Sequence, residues 1–186
     1  TQADVLITET TFAQPGISHP DTAEEIKKLN SIHDINIIIG CYALGKAQRL
    51  TWLINKYCIN KTIMIHKDLS RFHSYYEEAG IPLGKWEYYD KRKFRKEKNI
   101  IYLLTPTAYR SIYPDINYIK TFASGWEKLQ EGDMKLFISD HADWNELLTL
   151  VEKVKPKEIF TLHGDGTHLA NYFSDKNILV HMLHNS

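Results

Sequence analysis

Residues 35–50, INIIIGCYALGKAQRL, decide the fold class of this chain. The first half is a β-branched apolar run that ends at Gly40, and the second half has the apolar spacing of an amphipathic helix. A strand, a glycine turn and a helix make one βα unit, and the same order recurs along the chain. The sequence therefore predicts an α/β fold.

Eight apolar runs predict strands, and five amphipathic stretches predict helices. The predicted strands are Val5–Thr8, Ile35–Gly40, Thr62–His66, Ile100–Thr105, Tyr118–Ala123, Leu136–Ser139, Glu158–Leu162 and Ile178–His181. The predicted helices are Asp21–Ile32, Lys46–Tyr57, Asp68–Glu78, Asp143–Val154 and Thr167–Phe173. Residues 82–99 are polar and locally basic, which predicts an exposed connection or a domain edge.

The composition of the 186 residues is that of an ordinary globular protein, with 43% hydrophobic and 25% charged residues. Lys+Arg 23 against Asp+Glu 23 excludes a strongly charged binding tail. The sequence has neither a signal peptide nor an apolar run of roughly 18 residues, so we expect a cytoplasmic protein with no membrane contact. Cys41 and Cys58 are predicted to be buried, reduced thiols. Ala3–Thr8 already has the pattern of a core strand, so we expect a fragment.

The turn Gly40–Ala47, GCYALGKA, nearly spells the phosphate-loop pattern G-x-x-x-x-G-K-[ST]. It departs from that pattern at Ala47, where the hydroxyl that would hold magnesium is missing. An NTPase is therefore the weakest functional alternative. A glycine turn and a helix that opens with Lys46 also suit an anion such as a phosphodiester. The plain alternative is a strand-to-helix turn with a solvent-facing lysine.

Three predicted strand ends carry side chains suited to acid–base or metal chemistry, and such groups collect at the strand ends of open α/β sheets. Thr8-Glu9-Thr10 ends the first strand with a carboxylate, which can orient a histidine or act as a cap. SDHADW, residues 139–144, places His141 where it can donate or accept a proton near neutral pH. LHGDG, residues 162–166, places His163 where it can ligate a metal.

Each of these residues also has a structural interpretation. Asp143 and Glu146 have the spacing of a capping box, so Asp143 is predicted to cap a helix and His141 is then an ordinary loop histidine. The other histidines near His163 complete no ligand set with it. They are His168, His181 and His184. The chain alone is therefore not expected to build a full zinc site.

A basic run with interleaved aromatic residues follows residue 85. It could attract phosphates and stack bases, or it could be a solvated charged face diluted by acidic neighbours. The basic residues are Lys91, Arg92, Lys93, Arg95, Lys96 and Lys98, and the aromatic ones are Trp86, Tyr88, Tyr89 and Phe94.

Taken in order, four stretches resemble the β-CASP nucleases of the metallo-β-lactamase fold. They are TETTF (8–12), YALGKAQRL (42–50), SDHADW (139–144) and LHGD (162–165). The likeness is nearest to bacterial ligase-associated DNA exonucleases and mRNA 3′-end-processing-like exonucleases, and it matches only the later half of such a protein. It implies a β-CASP α/β domain plus the carboxy-terminal part of a metallo-β-lactamase αββα fold. The implied parts are a metallo-β-lactamase strand at 1–9, a β-CASP domain at 10–125 and returning metallo-β-lactamase elements at 126–186.

The resemblance also implies roles for individual residues. Glu9 corresponds to the first acidic motif, and it would orient His141 beside the scissile phosphate. His163 corresponds to a zinc ligand, and Lys46 with the Ser124-Gly125 turn would line the nucleic-acid cleft. The family's H-x-H-x-D-H loop and its other ligands precede the first acidic motif, whereas only eight residues precede Glu9 here. Two zinc ions are thus expected in the complete enzyme and at most a partial site in this chain.

These implications give a leading hypothesis. The chain is the carboxy-terminal part of a zinc-dependent nuclease, an exonuclease of DNA repair or RNA processing that is inactive without a missing amino-terminal half. The implied partners are DNA or RNA, that missing half and DNA-ligase-associated machinery. The alternative from another class is a noncatalytic module that binds nucleic acid or a protein partner and keeps remnants of the motifs.

Overall fold

The computed structural model describes residues 2–130, 132–164 and 166–183, and it confirms the α/β class. The chain divides into two compact units. One consists of Thr1–His19 with Ser139–Ser186, and is called the split unit here; the other consists of Pro20–Ile138, and is called the central unit. The domain boundaries predicted after residues 9 and 125 are those of a family's domains, and they are not the limits of these compact units. The predicted boundaries stay a prediction.

Strands and helices alternate through most of the chain. The strands are β1 (Val5–Glu9), β2 (Asn36–Gly40), β3 (Thr62–Ile65), β4 (Glu87–Tyr88), β5 (Ile100–Leu104), β6 (Tyr118–Phe122), β7 (Glu158–Leu162) and β8 (Leu179–Met182). The helices are α1 (Thr22–Lys27), α2 (Lys46–Tyr57), α3 (Lys67–Glu78), α4 (Lys91–Lys96), α5 (Pro106–Ser111), α6 (Trp144–Val154) and α7 (Thr167–Phe173). Two 3₁₀ turns cover Lys28–Ser31 and Glu127–Leu129.

The central unit is built on a five-stranded parallel sheet with the order β4-β3-β5-β2-β6. Every residue of β2 and β5 is buried, as expected for parallel strands covered on both faces. On one face, Leu50 of α2 and Leu69 of α3 pack against the sheet. On the other face, Phe94 of α4 and Tyr109 of α5 do so. Cys41 and Cys58 are free and buried here, as predicted.

The split unit has a three-stranded parallel sheet with the order β1-β7-β8. Helices α6 and α7 pack on one face of it, around the fully buried Ile159. The predicted capping box begins α6. The Glu146 amide donates to Asp143 Oδ1 at 3.0 Å, and the Asp143 amide donates to Glu146 Oε2 at 3.0 Å. No helix in the described ranges is long and apolar enough to cross a membrane.

One strand prediction is wrong. Leu136–Ser139 is not a strand: Leu136 makes a single parallel bridge to Ala123, its carbonyl accepts from the Ser124 amide at 3.3 Å, and a side-chain amide provides its other backbone partners. Gln130 Nε2 donates to the Leu136 carbonyl at 3.1 Å, and Gln130 Oε1 accepts from the Leu136 amide at 2.8 Å. Residues 82–99 are largely exposed, and they include β4, the edge strand that pairs with β3. The fully buried Phe94 anchors α4, so the stretch belongs to the central unit.

Candidate functional site

The three strand-end residues predicted from the sequence all lie in the split unit. Glu9 is the last residue of β1, and its register partner on β7 is Leu162, so His163 follows at the same edge of the sheet. Because β1 and β7 are parallel, their carboxyl ends meet there. His141 lies in the loop that leads into α6. The topology therefore brings these three loops to one edge.

The carboxylate of Glu9 joins two of these loops. Its Oε2 accepts from the Thr11 amide at 2.8 Å and lies 3.3 Å from His141 Nδ1. Its Oε1 accepts from the Ala142 amide at 3.2 Å. The Glu9 side chain is 27% exposed, whereas that of His141 is 50% exposed. Glu9 therefore holds the Nδ1 side of the imidazole, and Nε2 is the ring nitrogen left for a substrate.

Thr11 connects the His141 and His163 loops, a role that sequence reasoning missed. Its hydroxyl lies 3.4 Å from His141 Nδ1 and donates to the His163 carbonyl at 3.2 Å. The signal for it in the sequence is its place two residues after the strand-end carboxylate Glu9, in the run TETTF. With Nδ1 protonated, the imidazole faces two acceptors, Glu9 Oε2 and Thr11 Oγ1, which fixes its orientation.

The turn after β7 is held close to β1. A Cβ on Gly164 would lie 2.4 Å from the Thr10 carbonyl oxygen, so only glycine fits at that position. His163 has a φ of 51°, in the left-handed region that non-glycine residues seldom adopt. Such backbone geometry is concentrated at functional sites. The predicted motif residue Asp165 and the candidate His184 lie outside the described residues.

Asp143 has a structural role, as predicted: its side chain caps the start of α6. Besides the α6 cap, its Oδ2 accepts from the His19 amide at 2.8 Å. The ring of Phe12 packs edge-on against His19, with centroids 4.6 Å apart, and against His141, with centroids 6.1 Å apart. These contacts fix the backbone around His141 and leave its ring at the surface.

The hydrogen bonds around Glu9 outweigh its burial. Partial burial alone would raise the pKa of Glu9, but hydrogen bonding by Thr11, the nearby His141 and the Ala142 amide lower that pKa below the ordinary value of 4.5. A carboxylate with a depressed pKa stabilises the fold fully above its unfolded-state pKa, and this contribution disappears as the pH falls through the folded-state pKa.

We therefore expect Glu9→Gln to lower the free energy of unfolding at neutral pH, and we expect the difference from the wild type to shrink below pH 4.5. Urea unfolding of both proteins across this range measures the difference. Glu24→Gln is the control, because Glu24 is an exposed carboxylate whose contacts are with its own helix turn. A difference that stays constant with pH would contradict the pKa assignment.

The described residues do not fit a complete zinc site. Among them, no three His, Cys, Asp or Glu residues lie close enough to hold a metal ion together. A zinc site needs three or four such ligands, and His163 is the single ligand predicted in this chain. Further ligands would have to come from outside these residues.

The predicted nucleic-acid residues lie in the central unit and are largely buried. Lys46 is 4% exposed, and its ammonium donates to the Ile138 carbonyl at 2.5 Å. The alternative of a solvent-facing lysine is therefore wrong. Ser124 is also 4% exposed, and its hydroxyl accepts from the Trp126 amide at 3.1 Å beside Gly125. A nucleic-acid role for these three residues stays a prediction.

Two comparisons with known proteins bear on the site. Residues 134–183, which include His141 and His163, match the family described as Zn-dependent metallo-hydrolase RNA specificity domain. A protein of Opitutus terrae named "Probable DNA ligase" is 26% identical over 191 residues. This alignment covers 95% of the present chain, and the chain spans 18% of the length of that relative.

The family match lies on the part of the chain that carries the SDHADW and LHGD stretches, and the relative's likeness extends over nearly all of it. Together they confirm the resemblance to the metallo-β-lactamase-fold β-CASP family, through a Zn-dependent metallo-hydrolase RNA specificity domain at residues 134–183.

Proposed function

We propose that this chain is the carboxy-terminal part of a zinc-dependent nuclease that hydrolyses phosphodiester bonds of DNA or RNA. The observation that carries the proposal is the Glu9–His141 pair, with Oε2 and Nδ1 3.3 Å apart at the carboxyl edge of a parallel sheet. An imidazole held at one nitrogen by a carboxylate presents its other nitrogen for proton transfer. Zinc, where the complete enzyme binds it, supplies Lewis acidity and activated water.

In this proposal His141 is the catalytic residue and Glu9 the positioning residue. His141 Nε2 donates a hydrogen bond to an oxygen of the scissile phosphate and protonates the leaving oxygen. Glu9 stabilises the imidazolium and, with Thr11, fixes its direction. His163 is proposed as a metal ligand, and Lys46, Ser124 and Gly125 as contacts to nucleic acid.

The two comparisons point to different substrates, one to RNA and the other to DNA. The matched family is described by RNA specificity, whereas the relative from Opitutus terrae is named as a DNA ligase. An exonuclease that works beside a DNA ligase in repair fits the second name, and a processing exonuclease of RNA fits the first. Cleavage assays on labelled DNA and RNA of one sequence decide between them.

One face of the split-unit sheet is left exposed by the residues that the structure describes, and this supports the need for a second half. Val5 and Leu179 share a register row of the split-unit sheet, and Ile7 is on the same face; they are 47%, 62% and 63% exposed. Parallel sheets are normally covered on both faces. Within the described ranges, helices α6 and α7 pack on the opposite face of this sheet. We therefore propose that the polypeptide that supplies the remaining zinc ligands packs on this open face.

We expect Ile7→Asp to abolish association with the polypeptide that supplies the remaining zinc ligands, because a carboxylate would replace an apolar side chain buried at the interface. The face already carries one charged pair, Glu158 with His181 at 2.9 Å. The isolated chain should unfold as the wild type does, since Ile7 is 63% exposed in it. Co-purification measures association, and zinc-dependent cleavage by the mixture measures function. Ile59→Asp, at an 84% exposed position of the central unit, is the control. Unchanged association of Ile7→Asp would contradict the proposed interface.

The two alternatives make different predictions. A noncatalytic binding module would show no zinc-dependent cleavage when joined to its other half.

The NTPase alternative is disfavoured by the loop before α2, where three backbone amides that would cradle a phosphate already have acceptors within the chain. Those of Gly45, Lys46 and Ala47 donate to Gln48 Oε1, the Leu44 carbonyl and the Tyr42 carbonyl.

A further inference from the structure

A cavity of about 430 Å³ lies at the carboxyl ends of three strands of the central unit, β3, β4 and β5. Strand β3 leads into α3, whose Leu69 packs on one face of the sheet, and β5 leads into α5, whose Tyr109 packs on the other. Where neighbouring strands lead to opposite faces, a crevice opens that serves as the ligand site in open α/β sheets. Its size suits a ligand as large as a nucleotide.

The wall of this cavity is aromatic. Tyr89 stacks on Tyr102 with ring centroids 4.2 Å apart and an interplanar angle of 13°, and Tyr88 is 60% exposed at the rim. Burial raises the pKa of both Tyr89 and Tyr102, so these phenols stay neutral. Lys67 adds a cation to the lining. A flat, polar aromatic ligand with a negative charge nearby fits this composition.

A second cavity of about 350 Å³ adjoins the first, with Tyr89, Ser111 and Ile112 as their shared wall. Its lining includes Lys91 and Arg95. These two residues are four apart on α4 and therefore lie on one side of that helix. The exposed Asp115 also lines the second cavity, so the two cavities place two cations and one carboxylate directly beside an aromatic wall.

The structure distinguishes among the cations of the basic run. Lys93 is bound by both oxygens of Glu87, at 2.6 and 2.8 Å, and lines neither of these two cavities. Arg95 lies 3.7 Å from Asp115, but both side chains are well exposed, and such surface pairs contribute little. Lys91 and Arg95 are therefore the cations of this run that can meet a phosphate in the second cavity.

We propose that these paired cavities bind a single-stranded segment of nucleic acid, with a base against Tyr88 and Tyr89 and the adjoining phosphates on Lys91 and Arg95. Aromatic stacking beside a positive groove is how proteins bind single strands without reading their sequence, whereas the bases of a duplex are already stacked on one another. The inference rests on the proposed function, from which it takes nucleic acid as the ligand. It adds that the bound nucleic acid is single-stranded and names the residues that contact it.

The test is fluorescence anisotropy of a labelled oligo(dT) strand with the 186-residue protein, over a series of salt concentrations. We expect Tyr88→Ala to weaken binding about tenfold with no change in the salt slope, because stacking is lost and no phosphate contact is. We expect Tyr88→Phe to bind as the wild type. The double variant Lys91→Ala, Arg95→Ala should lower the slope of log K against log salt by about 1.4.

The control is Lys93→Ala, which removes the same charge from the same helix and should leave affinity and slope unchanged. Wild-type affinity in both Tyr88→Ala and the double variant would overturn the proposal. Equal affinity for a duplex would also overturn it, as would a Tyr88 dependence seen for free AMP but not for the strand. Cleavage by the enzyme joined to its remaining zinc ligands separates the two proposals, because intact binding by the 186-residue protein with no cleavage by the joined enzyme contradicts only the nuclease.

Discussion

Replacement of His141 with alanine should lower the rate of phosphodiester hydrolysis by on the order of 10²- to 10⁴-fold in the enzyme joined to its remaining zinc ligands. The reason is positional. Glu9 and Thr11 hold Nδ1, so Nε2 is the nitrogen that can protonate the leaving oxygen. Alanine removes that proton donor, but it leaves the capped start of α6 in place, so the fold should persist.

The matched variants separate catalysis from folding. His33→Ala removes an exposed histidine of the central unit and should keep full activity. Glu9→Gln should reduce the rate by about 10- to 100-fold, as expected for a residue that orients a catalytic group. Single-turnover cleavage of labelled DNA and RNA, followed against pH, measures all three variants. Activity of His141→Ala within threefold of the wild type would contradict the assignment of His141 as proton donor.

The sequence predicted most of the fold because local pattern and tertiary role agree in most elements. The run after Ile35 is fully buried as β2, and the helix predicted from Lys46 to Tyr57 has those bounds in the structure. Helix α6 begins directly after Asp143 because its capping box satisfies amides that would otherwise lack acceptors. These signals act within a few residues and are therefore visible in a single sequence.

Other elements depended on contacts between distant parts of the chain. The predicted strand at Leu136 failed because its backbone makes a single bridge to Ala123 and otherwise binds the Gln130 side chain, a partner that no local pattern reveals. Helix α5 was missed although Thr105 and Pro106 are a common helix start. Its run was too short to show an apolar period.

The candidate site was partly visible for a related reason. Glu9 and His163 follow neighbouring parallel strands, whose ends converge. His141 follows no strand, and only the family resemblance implied its place beside Glu9; the roles of these residues stay predictions. The role of Thr11 in connecting the His141 and His163 loops was not predictable from the sequence, because it depends on the close approach of Gly164 to Thr10. Burial of Lys46 likewise follows from the distant Ile138 carbonyl.

The largest stability effect should come from Asn36, the first residue of β2. It is 1% exposed, and its amide group makes three hydrogen bonds to the backbone: Nδ2 donates to the carbonyls of Phe94 at 2.7 Å and Glu97 at 3.0 Å, and Oδ1 accepts from the Ile100 amide at 3.0 Å. The first two acceptors close the end of α4, and the donor begins β5.

Asn36→Ala should therefore lower the free energy of unfolding by about 3 kcal/mol or more, since each buried backbone group left without a partner costs about 1–3 kcal/mol. Urea unfolding measures the change, and Asn117→Ala at an exposed position should change it by less than about 0.5 kcal/mol. A loss below about 1 kcal/mol for Asn36→Ala would mean that water replaces the lost partners.

Because these bonds hold α4, the same variant should also weaken the single-strand binding that Lys91 and Arg95 support, although Asn36 lines neither cavity.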